Sequence, residues 1–269
     1  MKISELHDQL FSVLCIVDDI CRKEKVRYFL DSGTAIGAAR EKDFVPWDDD
    51  VDIKVLREDY PAFRAAMKKH LPEHLHFMEP QEYAPGFYDF IPRVYDDRLP
   101  LREETEQDRY YKNYQNRVGL DVFIFDKVPD SAWAQKRLLL SSKILYGMGM
   151  SKRYRIDYSK YTPLQRLMVR VLCLMGKPFS TEWICQRWNR IAAAYQNKPA
   201  KWRFPSNFQL EQQLFFPAEL YEGTVYLPFR DRQLPMISGY DGELTQLYGD
   251  YMHPPKDKDA FIKHAQLED

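Results

Sequence analysis

The sequence is poor in the features that would fix its class at a glance. It has almost no net charge, with 39 Lys and Arg set against 40 Asp and Glu over 269 residues. Proteins that grip nucleic acid through its phosphates need a basic excess, so nucleic acid is not an expected partner. No run reaches the ~18 uncharged apolar residues of a membrane-spanning helix, and the opening MKISELHDQL lacks the apolar stretch of a secretion signal. Cysteine is scarce. Cys15, Cys21, Cys173 and Cys185 form no Cys-x-x-Cys pair and no His pair accompanies them, which argues against zinc. Their apolar surroundings fit reduced thiols in a core. Repeats and low-complexity segments are missing as well. These absences leave a soluble, cytoplasmic globular protein, long enough for one large domain or two small ones.

What is present begins with an amphipathic helix. Ile3, Leu6, Leu10, Val13, Leu14, Val17 and Ile20 recur at three- and four-residue spacing over residues 3–24, and Ser4 is placed to cap it. Val26 to Leu30 reads as a strand meeting a turn at Asp31-Ser32-Gly33-Thr34, and Thr34 to Arg40 as a short helix. Pro46 forces a loop. From Asp50 to Val55 the chain alternates, with Val51, Ile53 and Val55 on one side and Asp50, Asp52 and Lys54 on the other. A helix over 58–70, a strand in FIPRVYDDR and a strand in GLDVFIF (119–125) follow. Residues 131–195 are helical in pattern, broken by Pro163 and by Gly176-Lys177-Pro178. The tail carries a strand at 224–227 and a short helix at 243–248. Strands with unevenly placed helices predict an α+β fold with a mixed sheet rather than regular βαβ winding.

Four aspartates crowd into residues 48–52. Such a cluster is often only a solvated turn, but this one adjoins Pro46 and Trp47 and runs straight into an apolar strand. Like charges two residues apart on a strand repel, so their presence at a core edge asks for a cation. A calcium loop would need Gly at its sixth position and Glu at its twelfth, where Ile53 and Asp59 stand. Alternation puts Asp50 and Asp52 on one face as a metal pair, with Asp49 turned the other way. Magnesium-like cations take one or two carboxylates plus substrate phosphate oxygens, and paired metals clamp both sides of a phosphoryl displacement. Asp121 is embedded between apolar residues, where an unpaired charge would be costly. It either completes the metal site or is a strand-edge aspartate bonded to a neighbouring amide. Gly33-Thr34 lies at a strand-to-helix turn that would admit phosphate. Arg40 and Lys42 could reach the same phosphate or be ordinary surface charge. Arg93, flanked by Ile91 and Val94, is the better clamp.

The run YFLDSGTAIGAAREKDFVPWDDDVDI, residues 28–53, resembles the signature of the LicD family, whose members include fukutin-related transferases. The shared pattern is Gly-Thr-x-x-Gly-Ala-x-Arg, a short basic loop, then Pro-Trp-Asp-x-Asp-x-Asp. The likeness extends to GLDVFIF and to LTQLYGDYMHPP (244–255), while residues 131–200 match no motif. Asp31-Ser32 and Ala35-Ile36 depart mildly from the family pattern. The resemblance implies a nucleotidyltransferase-like core, placed over 1–130, and the residue pattern adds a helical region over 131–200 and a C-terminal segment, 201–269, packing on the core. It also implies a phosphotransferase that moves phosphocholine, or in animal relatives ribitol phosphate, from a CDP-linked alcohol to a cell-surface glycan. Mg²⁺ or Mn²⁺ would be held by Asp50, Asp52 and Asp121. By motif, Gly33-Thr34 matches the turn after the first strand.

On that reading an acceptor hydroxyl attacks the distal phosphorus and CMP leaves, with positioning and charge neutralisation dominating. Asp121 or Asp48 would be the general base, Asp121 being preferred because Asp48 can fix the Trp47 loop. A choline headgroup would sit on aromatic faces, with Trp47, Tyr88, Tyr95 and the Tyr110, Tyr111 and Tyr114 cluster as candidates. With 18 Tyr, 16 Phe and 5 Trp in the chain, clustering alone does not choose among them. Two other functions fit the same fold: a nucleotidyltransferase releasing pyrophosphate, and a non-catalytic nucleotide- or glycan-binding protein. The apolar, basic stretch 163–179 has the composition of a core helix or of one resting on a membrane. A lipid-linked glycan acceptor would give the second a purpose, at the inner face of the cell membrane.

Overall fold

A computed structural model describes residues 2–208 and 214–254 of the chain. Helix α1 (Ile3–Glu24) leads to β1 (Phe29–Leu30) and to a short α2 (Ser32–Ile36) that widens into one π-helical turn, Gly37–Glu41. Then come β2 (Asp52–Leu56), α3 (Tyr60–His70), β3 (Leu75–Met78), β4 (Arg93–Asp96), the single-turn α4 (Glu106–Tyr110) and β5 (Gly119–Val128). Helices α5 (Ala132–Gly149), α6 (Pro163–Gly176) and α7 (Thr181–Ala192) follow. The described chain closes with β6 (Trp202–Pro205), β7 (Phe216–Pro217), a hairpin of β8 (Thr224–Phe229) and β9 (Arg232–Ile237), and α8 (Tyr240–Tyr248).

Strands run β1-β2-β5-β4-β3 across one mixed sheet, β6 pairs with the second half of β5, and β7 pairs with β6. Only β2 and β5 are parallel; the other neighbours are antiparallel. The fold is α+β, as predicted. Period-two alternation divides the sheet cleanly. Ile53, Val55, Leu120, Val122 and Ile124 point to the side where α1 lays its stripe of Leu6, Leu10, Val13, Leu14 and Val17. Phe123 and Phe125 point to the other side, where Phe29, Leu56, Phe216, Tyr221 and Ile237 cover them. That second cluster caps one end of the face and leaves the end bearing Asp52, Asp121 and Arg93 uncovered by it.

Local chemistry shifts several boundaries. Helix α1 starts ahead of Ser4, with the Lys2 N–H donating to Glu5 at 3.0 Å. Lys25 turns left-handed (φ 56°) to end α1, and the Val26 N–H still caps Cys21, so β1 is only Phe29–Leu30. Strand β4 begins at Arg93, because Pro92 has no N–H to donate and Ile91 gives its own to Asp89 at 2.9 Å. The tail of the expected motif, Pro255, lies outside the described residues. Among the described residues no helix is long and apolar enough to cross a membrane.

Candidate active site

Strand register builds the site. The parallel pairing of β2 with β5 sets Asp52 beside Asp121, and the antiparallel pairing of β4 with β5 sets Arg93 beside the same Asp121. Directly paired residues point to the same face of a sheet, so three adjacent strands present carboxylate, carboxylate and guanidinium in a row. Arg93 Nη2 donates to Asp121 Oδ2 at 2.9 Å and Nη1 to Gln115 Oε1 at 2.5 Å. Nη2 also lies 3.8 Å from Asp89 Oδ2, and the guanidinium carbon 5.9 Å from the Tyr88 ring centroid. Burial opposes the charge on Arg93, but Asp121, Tyr83 and Asp89 outweigh it and raise its pKa. Its Nε is buried without a hydrogen-bond partner. Asp89 is pushed up to about 6, chiefly by burial, which the Arg93 charge only partly offsets.

The acidic run approaches from the other side. Its turn is closed by the Asp48 N–H donating to the Val45 carbonyl at 3.0 Å and by His7 Nε2 donating to the Asp48 carbonyl at 2.7 Å. The Asp48 carboxylate then lies directly over Gly33, so that a Cβ there would fall 2.1 Å from Oδ2. Thr34 Oγ1 accepts the Asp52 N–H at 3.0 Å, and the Asp31 N–H donates to the Asp52 carbonyl, also at 3.0 Å. These bonds fix where β2 starts. It starts at Asp52, so residues 48–51 are not strand and period two does not govern them. Alternation therefore does not set Asp49 apart from Asp50: Asp49 is buried and lines the same cleft as Asp50, Arg93, Tyr95, Tyr114 and Asp121.

Electrostatics mark the run as strained by like charge. Burial, then Asp50 and Asp121, drive the Asp52 carboxyl well above the usual range. Burial, then Asp50 and Asp49, push Asp48 up to about 8. Carboxylates held together at this cost are a hard-oxygen donor set of the kind Mg²⁺ or Mn²⁺ favours. The residues therefore fit such a cation chemically. Among the described residues no three acidic, His or Cys side chains converge on a common point at ligand distance; Asp121 Oδ2 is turned onto Arg93 instead.

The remaining sequence candidates are distributed around this centre. Gly33 gives room to Asp48, and Thr34 holds the start of β2. Arg40 lies over Trp47 (5.7 Å), pairs with Glu41 at 2.6 Å and donates to the Tyr251 carbonyl at 2.7 Å, which ties the Trp47 loop to the C-terminal segment. Lys42 is exposed, in left-handed geometry (φ 59°) at the end of the π-helical turn. Tyr88 and Tyr95 join Tyr83, Tyr111 and Tyr114 in one aromatic wall beside Arg93, with ring centroids 5.1–6.0 Å apart. Sequence reasoning missed Asp89, Gln115 and Glu243. Asp89 stands four residues before Arg93, a spacing that reads as an ordinary turn. Glu243 on α8 meets the buried Lys54 in a close ion pair that also includes Asp31, 2.9 Å from Lys54 Nζ. A lysine inside an apolar strand was the one visible sign of it.

An α+β core that brings carboxylates from neighbouring strands to one sheet end, next to an acidic turn, defines a nucleotidyltransferase-like protein. The model for the LicD/FKTN/FKRP nucleotidyltransferase domain matches residues 25–169, more than half of the chain, and the chain belongs to that family. It is 26% identical over 294 aligned positions to the lipopolysaccharide cholinephosphotransferase LicD of Haemophilus influenzae, covering 99% of this chain and 98% of that protein. A shorter match, 53% identical over 34 residues, links it to the ribitol 5-phosphate transferase FKRP of human and mouse, covering 13% of this chain and 7% of FKRP.

Proposed function

We propose that this protein is a LicD-type phosphotransferase that moves a phospho-alcohol group, phosphocholine or a close analogue, from a CDP-linked donor to a hydroxyl of a cell-surface glycan. The observation that carries this reading is the register that sets Asp52, Asp121 and Arg93 side by side beneath the acidic turn. Asp50, Asp52 and Asp121 would hold Mg²⁺ or Mn²⁺, which when bound neutralises phosphate charge. Arg93, kept cationic by its acidic neighbours, sets a positive charge beside the carboxylates that favours a phosphate. A general base must be within reach of the acceptor hydroxyl. Asp121 Oδ2 is already committed to Arg93, whereas Asp48 lies over Gly33 beside Asp50. We therefore assign the acceptor's proton to Asp48 and a holding role to Asp121. The tyrosine wall beside Arg93 is the place for a quaternary ammonium headgroup.

The test incubates the full chain with CDP-choline, Mg²⁺ and lipopolysaccharide and identifies the leaving group by phosphorus NMR. CMP is expected, and Asp50→Ala or Asp52→Ala should each lower its release by more than about a hundredfold. Pyrophosphate release from a nucleoside triphosphate would favour nucleotidyl transfer instead, and activity surviving in both variants would overturn the metal assignment.

A further inference from the structure

Helix α6 carries two apolar stripes where a surface helix needs one. The narrower stripe, Val169, Leu172, Cys173 and Gly176, is turned inward. Gly147 and Gly176 let α5 and α6 approach so closely that a Cβ at Gly147 would strike Leu172 at 2.5 Å and one at Gly176 the Met148 carbonyl at 2.1 Å. The wider stripe is Leu164, Leu167, Met168, Val171, Leu174 and Met175, at i, i+3, i+4, i+7, i+10 and i+11. These six are between 49% and 69% exposed. Among the described residues only two other large aliphatic side chains, Leu140 and Met252, are as open. Scattered exposed leucines need no explanation, but six in one helical stripe do.

Charge selects the occupant. Residues 131–199 hold 13 of the 39 basic side chains and 2 of the 40 acidic ones, a formal charge of +11 that leaves −12 on the rest of the chain. Arg166, Arg170 and Lys177, at i, i+4 and i+11, run along one edge of the exposed stripe. A second copy of this region would bring +11 against +11, whereas an anionic lipid surface complements both the charge and the apolar stripe. At 1.5 Å per residue the 14-residue helix is about 21 Å long, too short to span a hydrocarbon core of ~30 Å, so it would lie in the plane of the interface.

We infer that α6 docks the protein on an anionic membrane, its leucine and methionine stripe in the acyl boundary and its basic edge among the headgroups. The docked helix is joined to the site wall. Lys152 Nζ donates to the Lys177 carbonyl at 2.9 Å, and next to it Arg153 Nη2 donates to the Tyr88 carbonyl at 2.8 Å. These two bonds link the docked helix to the tyrosine wall, and on the function proposed above a lipid-linked acceptor would be met at the same membrane.

The experiment floats the full chain with vesicles of phosphatidylcholine alone and of phosphatidylcholine with phosphatidylglycerol. It needs no donor, so its outcome is independent of the transfer chemistry. Binding is expected on the anionic vesicles only, weakening with salt. Leu167→Glu/Leu174→Glu, at open positions that leave the fold intact by circular dichroism, should lower partitioning at least about tenfold. Arg166→Gln/Arg170→Gln should cost roughly fivefold for each charge removed. Equal binding to both vesicles, or binding untouched by either double variant, overturns the inference. So does wild-type self-association in sedimentation equilibrium that Leu167→Glu/Leu174→Glu abolishes, since a second copy would then cover the stripe.

Discussion

Gly33 and Asp48 show how little room a carboxylate can have. The contact over Gly33 is with the tip of a side chain, not with backbone, so Gly33→Ala can fold if Asp48 moves aside. The expected cost in stability is below about 1.5 kcal/mol, while CMP release should fall at least about tenfold because Asp48 loses its place. Urea denaturation and the phosphorus NMR assay read the two separately; full activity in Gly33→Ala would remove Asp48 from the chemistry. Residues of this kind differ in how well the sequence discloses them. Asp50 and Asp52 were legible because four aspartates preceded an apolar strand, and Asp121 because a lone charge interrupts GLDVFIF. Asp49 was set apart from Asp50 because alternation was extended back past Asp52, where the strand begins. Asp89, Gln115 and Glu243 take their meaning from partners 4 to 189 positions away, and local pattern says nothing about those.

At the scale of elements, long periodic segments were read well and short ones were not. The stripe of α1 and the run of β5 carry their own signal, whereas β1 and β3 are set by pairing with β2 and β4. The link from α3 to the turn after β3 is another long-range feature with a measurable consequence. Glu79 accepts from Arg64 Nε at 2.8 Å and Lys68 Nζ at 2.7 Å, one helical turn apart on α3. Burial pushes its carboxyl up, but these two hydrogen bonds outweigh burial and leave it below its ordinary value of 4.5. A depressed folded-state pKa means the unfolded chain binds the proton first. The stabilisation is therefore present above about pH 4.5 and is lost as the pH falls through the folded value. Arg64 and Lys68 are themselves more than a third exposed, so screening keeps the contribution under about 1 kcal/mol. Glu79→Gln should thus be slightly less stable than wild type at pH 7, with the gap closing on acidification through and below pH 4.5. Urea melts across that range would show it, and a gap that widened in acid would contradict the assignment.

For the whole molecule, the question is what holds the two ends of the chain together behind the site. Lys54 leaves β2 on the face that carries Asp52, is fully buried, and meets Asp31 at the start of α2 and Glu243 on α8. Tyr221 donates to the same Glu243. Burial disfavours the charge on Lys54, yet Asp31 and Glu243 more than compensate and raise its pKa, while burial raises that of Glu243 despite Lys54. Sequence reasoning put Lys54 on the correct face but could not supply its partners, because a fold closes over distances that no window spans. Buried ion pairs add little net stability when intact but are costly to break from one side, about 3–5 kcal/mol, since the remaining charge is stranded. Lys54→Met leaves two carboxyls facing each other without their cation. It should lose about that much in urea denaturation, and the loss should shrink towards acid pH as the stranded carboxyls take up protons. Lys54→Met/Glu243→Gln removes one of the stranded charges and should recover part of the loss. If Lys54→Met costs under about 1 kcal/mol, the cluster does not clamp the ends, and the weight falls on the ion pairs from the β8–β9 hairpin to α1, Arg232 with Asp19 and Arg230 with Asp8. A deficit that the second substitution does not relieve would mean that Lys54, whose Nζ also lies over the Phe125 ring, contributes more than its pairing with Glu243.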